Sequence, residues 1–175
     1  MPMRRLLHLL NLGLVLLLIG GSLRAFPHLP ARIPRHFGLG GTADAYWDGT
    51  LVHWLLIPGI ALIIVGLVYG VVCLIGSAAT SFTVSSPEQY NALAPSQQRA
   101  VARSIQSFLY GTATAMLILF SAAQWGTYRV ATSATTTLPG SVRVLTVGIP
   151  VVLVVAMGVL AWWLPRRVRR LVNNS

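Results

Sequence analysis

The sequence predicts an all-α integral membrane protein, a single domain over 1–175 with four transmembrane helices and a structured, hairpin-like outer loop between the first two. Composition carries the first half of that statement. Hydrophobic residues make up 55% of the 175, charged residues only 9%, and the mean hydropathy is +0.71, whereas a soluble domain carries about 25% charged residues. Four apolar runs carry the second half, at 6–23, 51–76, 104–125 and 142–164. A hydrocarbon core of roughly 30 Å is crossed by about 20 helical residues, and none of these runs alternates as barrel strands do, so helices satisfy the backbone in lipid.

The arginines set the expected orientation. Arg4, Arg5, Arg99, Arg103, Arg166, Arg167, Arg169 and Arg170 fall on one side of a four-span topology, and Arg24, Arg32, Arg35, Arg129 and Arg143 on the other. An excess of basic residues marks the cytoplasmic side, which puts both termini in the cytoplasm. The net charge of +10 is spread over helix ends rather than gathered on one face, so nucleic acid is not expected as a partner. The bilayer is, with the 166–170 cluster lying on anionic headgroups.

In the first helix, Arg4 and Arg5 precede an apolar core with Gly20 and Ser22 beyond it. This resembles a signal peptide, but three further spans argue for a retained helix. His8 lies near its inner end and His53 near the outer end of the second helix, too far apart in depth to ligate one haem.

The outer loop, 24–50, holds two of the three acidic residues in the chain. Pro27, Pro30 and Pro34 bias it to extended geometry, and the glycines in Gly38-Leu39-Gly40-Gly41 permit a reversal. That reversal brings His36 beside Asp44 for a histidine–carboxylate hydrogen bond. Asp44 is further expected to cap the chain entering Tyr46 and Trp47, with Phe37, Tyr46 and Trp47 covering the helix ends. His28, His36, Asp44, Asp48 and His53 share the outer side, but their spacing matches no compact zinc signature. No serine lies between Arg24 and Gly76 to act as a nucleophile, so neither a metal, a cofactor nor a catalytic group is expected.

The second helix contains Pro58, expected to kink it, and a Gly66–Gly70 pair; the third carries a ridge of Ser107, Gly111 and Ala115. Small residues let helices approach closely, so both stripes are read as helix-packing surfaces, within the bundle or toward a partner subunit. Cys73, the sole cysteine, reads as a small packing residue. The cytoplasmic loop, 77–103, offers helix starts at Ser86-Pro87-Glu88 and Ala94-Pro95, the latter running unbroken into the third span. The second outer loop, 126–141, rich in Thr and Ser, reads as a modest connector, and Pro150 interrupts the fourth helix. Neither Pro58 nor Pro150 has an intramembrane acid or base beside it, which disfavours a transporter. Tyr46, Trp47, Trp54, Trp125 and Tyr128 mark the outer boundary and Trp162 and Trp163 the inner one.

The succession FPxLPxRIPxHFxxxGxxDxYW, with Pro27, Leu29, Pro30, Ile33, Pro34, His36, Phe37, Gly41 and Asp44 in place, resembles a bacterial membrane family of unknown function. Its module also begins the sporulation-delaying-protein immunity (SdpI-like) proteins, longer membrane proteins that protect their producer from a secreted toxin. The likeness covers the first two helices and their loop, and more loosely the QQRAVARSIQSFL entry to the third helix with Gln124 and Trp125 at its exit. Thr50 stands where such proteins usually end the loop with a basic residue, and the chain is too short for their full second membrane module. The resemblance implies a non-enzymatic accessory or immunity-type protein whose outer loop recognises a peptide or protein. The alternative is a small structural subunit of a larger membrane complex.

Overall fold

The computed structural model describes residues 2–76 and 87–173. Helix α1 runs Pro2–Ala25 and ends in a 3-10 turn at Phe26–His28. Strands β1 (Arg32–Phe37) and β2 (Ala43–Asp48) form an antiparallel hairpin, followed by the short α2 (Leu51–Trp54) and by α3 (Leu56–Gly76). Beyond the undescribed 77–86 come α4 (Pro87–Asn91), α5 (Pro95–Thr132) and α6 (Gly140–Asn173). Among the described residues, four helices are long and apolar enough to cross a membrane. The helix start expected at Ser86 lies outside the described residues; α4 begins at Pro87.

Helix α5 is the axis of the molecule and packs against α1, α3, α6 and β1. Its cap is half a capping box: Gln97 Oε1 accepts the Ala94 N–H at 3.0 Å, while alanine has nothing to return. Two apolar clusters flank it. In the middle of the bundle Leu18, Ala61, Val65, Ala113 and Leu117 close the α1–α3–α5 contact, and near the chain termini Ile75, Tyr90, Leu93, Val101, Ile105, Leu164 and Val168 join α3, α4, α5 and α6. Small residues do bring the helices together, but they are Ala61 and Ala113, both fully buried.

The glycine stripes lie elsewhere. A Cβ added at Gly66, Gly70 or Gly111 would meet nothing within 4 Å, and Gly66 and Gly70 are exposed. Ser107 turns its hydroxyl onto the Arg103 carbonyl of its own helix, and Ala115 is half-buried. The GxxxG face of α3 therefore points away from the described bundle, and so does Cys73, which is exposed rather than packed.

A polar network ties α1, α3 and α5 together toward the termini. The buried Asn11 donates from Nδ2 to the Tyr69 hydroxyl at 3.1 Å and to the Tyr110 carbonyl at 3.3 Å, and its Oδ1 accepts from Thr114 Oγ1 at 2.7 Å. The rings of His8, Tyr69 and Tyr110 meet one another edge-on or tilted beside it, with centroids 4.1–5.5 Å apart. Amides inside a span join helices because lipid offers them no partner. This network went unread in the sequence, where Asn11 stands alone in an apolar run.

Several boundaries differ from the sequence expectation. The 51–76 segment is not one helix but breaks at Leu55. The third helix runs on to Thr132 instead of stopping near 125, because Gly126, Thr127 and Val130 are buried against their surroundings and Thr127 and Thr132 return their hydroxyls to carbonyls four residues back. Tertiary packing there overrides the polar composition. Pro150 and Pro165 both lie inside an unbroken α6. Between Val142 and Leu164, both buried, α6 presents Val144, Val147, Val151, Val154 and Val155 outward. Among the prolines of the first loop, Pro27 lies in the first turn of the 3-10 segment instead of an extended one; its fixed φ suits either.

Candidate functional site

The hairpin sits on the end of the bundle opposite the termini. Strand β2 alternates as a half-buried strand should, with Ala43, Ala45 and Trp47 turned toward the protein and Asp44, Tyr46 and Asp48 turned out. On β1, Ile33 is 1% exposed and Pro34 is buried, against α5. The ladder pairs Pro34 with Tyr46, His36 with Ala45 and Phe37 with Ala43, so Arg35 and then Asp44 are each skipped. These two offsetting bulges flank His36 and re-aim the side chains beside it.

The expected contact is present: His36 Nδ1 lies 2.6 Å from Asp44 Oδ1. A carboxylate only accepts, so the ring N–H donates. With the two side chains 66% and 53% exposed, such a pair contributes about 0–1 kcal/mol; it orients the tip more than it holds it. Asp44 is therefore a clasp across the strands, not a cap. The cap at the hairpin's exit is Thr50, whose Oγ1 accepts the His53 N–H at 3.3 Å. Thr50 thus has the role any N-cap threonine would have.

At the turn, only Gly41 takes a positive φ, +76°. Any Cβ there would also collide with Arg143 Cδ, and Arg143 Nη1 donates to the Gly40 carbonyl at 3.1 Å. The second loop is more than a connector. The Ala43 N–H donates to the Thr136 carbonyl and the Leu138 N–H to the Gly41 carbonyl, each at 2.8 Å, so 136–138 extends the hairpin as a third, strand-like segment and covers the edge of β2. Gly126 makes this closure possible. A Cβ there would lie 2.8 Å from Leu138 and 2.9 Å from Val142.

Beneath the hairpin stands Trp54, 2% exposed. It is an internal strut and not part of an interfacial belt. Its indole N–H donates to the Ser22 carbonyl at 2.7 Å, tying α2 to α1. Its own carbonyl accepts from Gln124 Nε2 at 3.2 Å. Pro58 explains the second bond. The carbonyl four residues before a proline has no backbone donor, and α5 supplies an amide in its place. Among the described residues, Gln124 Oε1 and Ser121 Oγ are the buried side-chain oxygens left without a partner.

Two cavities open on either side of this strut. One, of about 300 Å³, lies under the hairpin and is lined by Ile33, Phe37, Trp47, His53, Trp54 and Leu138 among others. The other, of about 550 Å³, lies between α1 and α5. In the first, His53 stacks on Trp47 with centroids 5.0 Å apart and donates from Nδ1 to the Asp48 carbonyl at 2.9 Å. Arg35 lies over the Trp47 ring, 5.8 Å from its centroid. His28 lines the second cavity, apart from His36 and His53. No three His, Cys, Asp or Glu side chains converge among the described residues.

All nine motif positions, Pro27 to Asp44, thus lie in the hairpin or its approach, and the bundle residues that seat it, Trp54, Gln124, Gly126 and Arg143, lie outside the motif. Residues 13–62 match a family described as a domain of unknown function (DUF1648), a span that takes in most of α1, the hairpin and the start of α3. Comparison with curated proteins and comparison with solved structures each find no match.

Proposed function

We propose that the protein is a non-enzymatic, multi-pass protein of a bacterial inner membrane whose hairpin recognises a polypeptide outside the cell, in the manner of an SdpI-like accessory or immunity protein. The observation that supports this reading is the aromatic-lined cavity directly under a hairpin held in place by α5, α6 and the 136–138 segment. A partner's apolar side chain enters that cavity, while Arg32, Arg35, His36, Asp44 and Asp48, all exposed, meet its polar neighbours. A preformed concave site with a few polar groups is the usual form of a binding site.

Photo-crosslinking from position Tyr46 in native membranes is expected to trap a secreted polypeptide. His36→Ala, Asp44→Ala and Phe37→Asp should each reduce that trapping severalfold, with membrane levels unchanged. Equal trapping by all three variants would overturn the reading.

The orientation has its own test. A reporter fused after residue 173 is expected to behave as cytoplasmic and one inserted at Gly40 as external; the reverse pattern would place the hairpin on the wrong side for this function.

One observation favours the second reading, a small subunit of a larger membrane assembly: the Gly66–Gly70 face of α3 is exposed with open space before it. Gentle extraction followed by sizing separates the two. A complex that dissolves on Gly70→Leu supports the subunit reading, and a monomer with an active hairpin supports the first.

A further inference from the structure

The second cavity has no part in the hairpin reading, and its chemistry is graded along its depth. Its walls toward the middle of the bundle are apolar, from Leu17, Leu18 and Gly21. At the level of the Trp54 strut it holds Ser121 and Gln124, whose Oγ and Oε1 atoms are buried and unpartnered, Gln124 being 5% exposed. At its mouth stand Arg24 and His28, both exposed. No acidic residue lines it.

Each layer selects a part of a ligand. An apolar slot between two membrane helices takes a hydrocarbon chain. A buried acceptor amide oxygen costs free energy until a donor reaches it, and lipid chains carry no donor. A cationic mouth near a helix end takes an anion. The volume, about 550 Å³, falls in the ~300–1,000 Å³ range of small-molecule sites. We propose that the cavity between α1 and α5 binds a single-chain anionic amphiphile that carries a hydroxyl or amide donor just below its headgroup. The chain lies along Leu17, Leu18 and Gly21, the donor reaches Gln124 Oε1 with Ser121 Oγ beside it, and the anion pairs with Arg24. Trp54 and Gln124 line both this site and the hairpin cavity, so the two sites have one wall in common.

Lysophosphatidylglycerol is a suitable probe, since it has a phosphate, a free hydroxyl on the acyl-bearing glycerol and one chain. Titrated into the full chain in detergent and counted by native mass spectrometry, it is expected to bind as a single copy. Three ligand or protein changes should each weaken it about tenfold, the loss of one charge-assisted or buried hydrogen bond: replacing the phosphoglycerol headgroup with a hydroxyl, as in a monoacylglycerol, removing the glycerol hydroxyl, and Arg24→Gln. Gly21→Leu, at a position where an added Cβ meets nothing within 4 Å, fills the slot and should abolish binding while leaving the thermal midpoint in place. Equal binding of lysophosphatidylglycerol and the phosphate-free monoacylglycerol, or binding that survives Gly21→Leu, would overturn the proposal.

Discussion

Replacing Trp54 with alanine is expected to lower stability by about 3–5 kcal/mol, the cost of truncating a fully buried aromatic ring, and to do so at the hairpin end first. Trp54 is 2% exposed and bonds α1 through its indole nitrogen, while its carbonyl takes the Gln124 amide. Without the ring, the two cavities it separates merge. The measurement is thermal unfolding in detergent combined with hydrogen exchange. Protection should fall in 26–50 and around Ser22, while the Ile75–Val101–Leu164 cluster keeps its own. Trp54→Phe distinguishes packing from hydrogen bonding, since it retains most of the ring and should recover all but about 0.5–1.5 kcal/mol. Uniform loss of protection through the molecule would contradict the strut.

The second large effect is expected at Gly126, where leucine should cost about 1–3 kcal/mol by overpacking and detach the second loop from the hairpin. The nearest obstacles to any side chain there are Leu138 and Val142, and Leu138 is the residue that donates to Gly41. Hydrogen exchange at Ala43 and Leu138 should accelerate together in Gly126→Leu, because those two amides bond across the same seam. Acceleration of one without the other would show that the segments are held independently.

The membrane architecture was legible because apolar length is a one-dimensional property: each of the four expected spans falls within or across an observed helix, and the reversal at Gly38–Gly41 follows from glycine chemistry alone. The His36–Asp44 contact was legible for the same reason, the two residues being joined by a short turn. What escaped depends on distant partners. Gly126 reads as a loop residue until Leu138 and Val142 are packed on it, and Gly66–Gly70 reads as a packing surface until the bundle is seen to use Ala61 and Ala113. Trp54 reads as an interfacial aromatic until Ser22 is placed opposite its indole. A proline within a span orphans a known carbonyl, so Pro58 implied a donor for Trp54, and Gln124 is one of only two glutamines between 104 and 132.

That last pairing has a consequence for how the chain diverges. Pro58 and Gln124 are coupled through one carbonyl, although 70 residues separate Gln124 from the residue it serves. Exchange the proline for an ordinary residue and the backbone regains its own donor, while the carbonyl, with two lone pairs, still accepts from the amide. Exchange the glutamine first and the carbonyl is stranded in the bundle. Drift at the two positions is therefore ordered, with position 58 free to change before 124 and not the reverse.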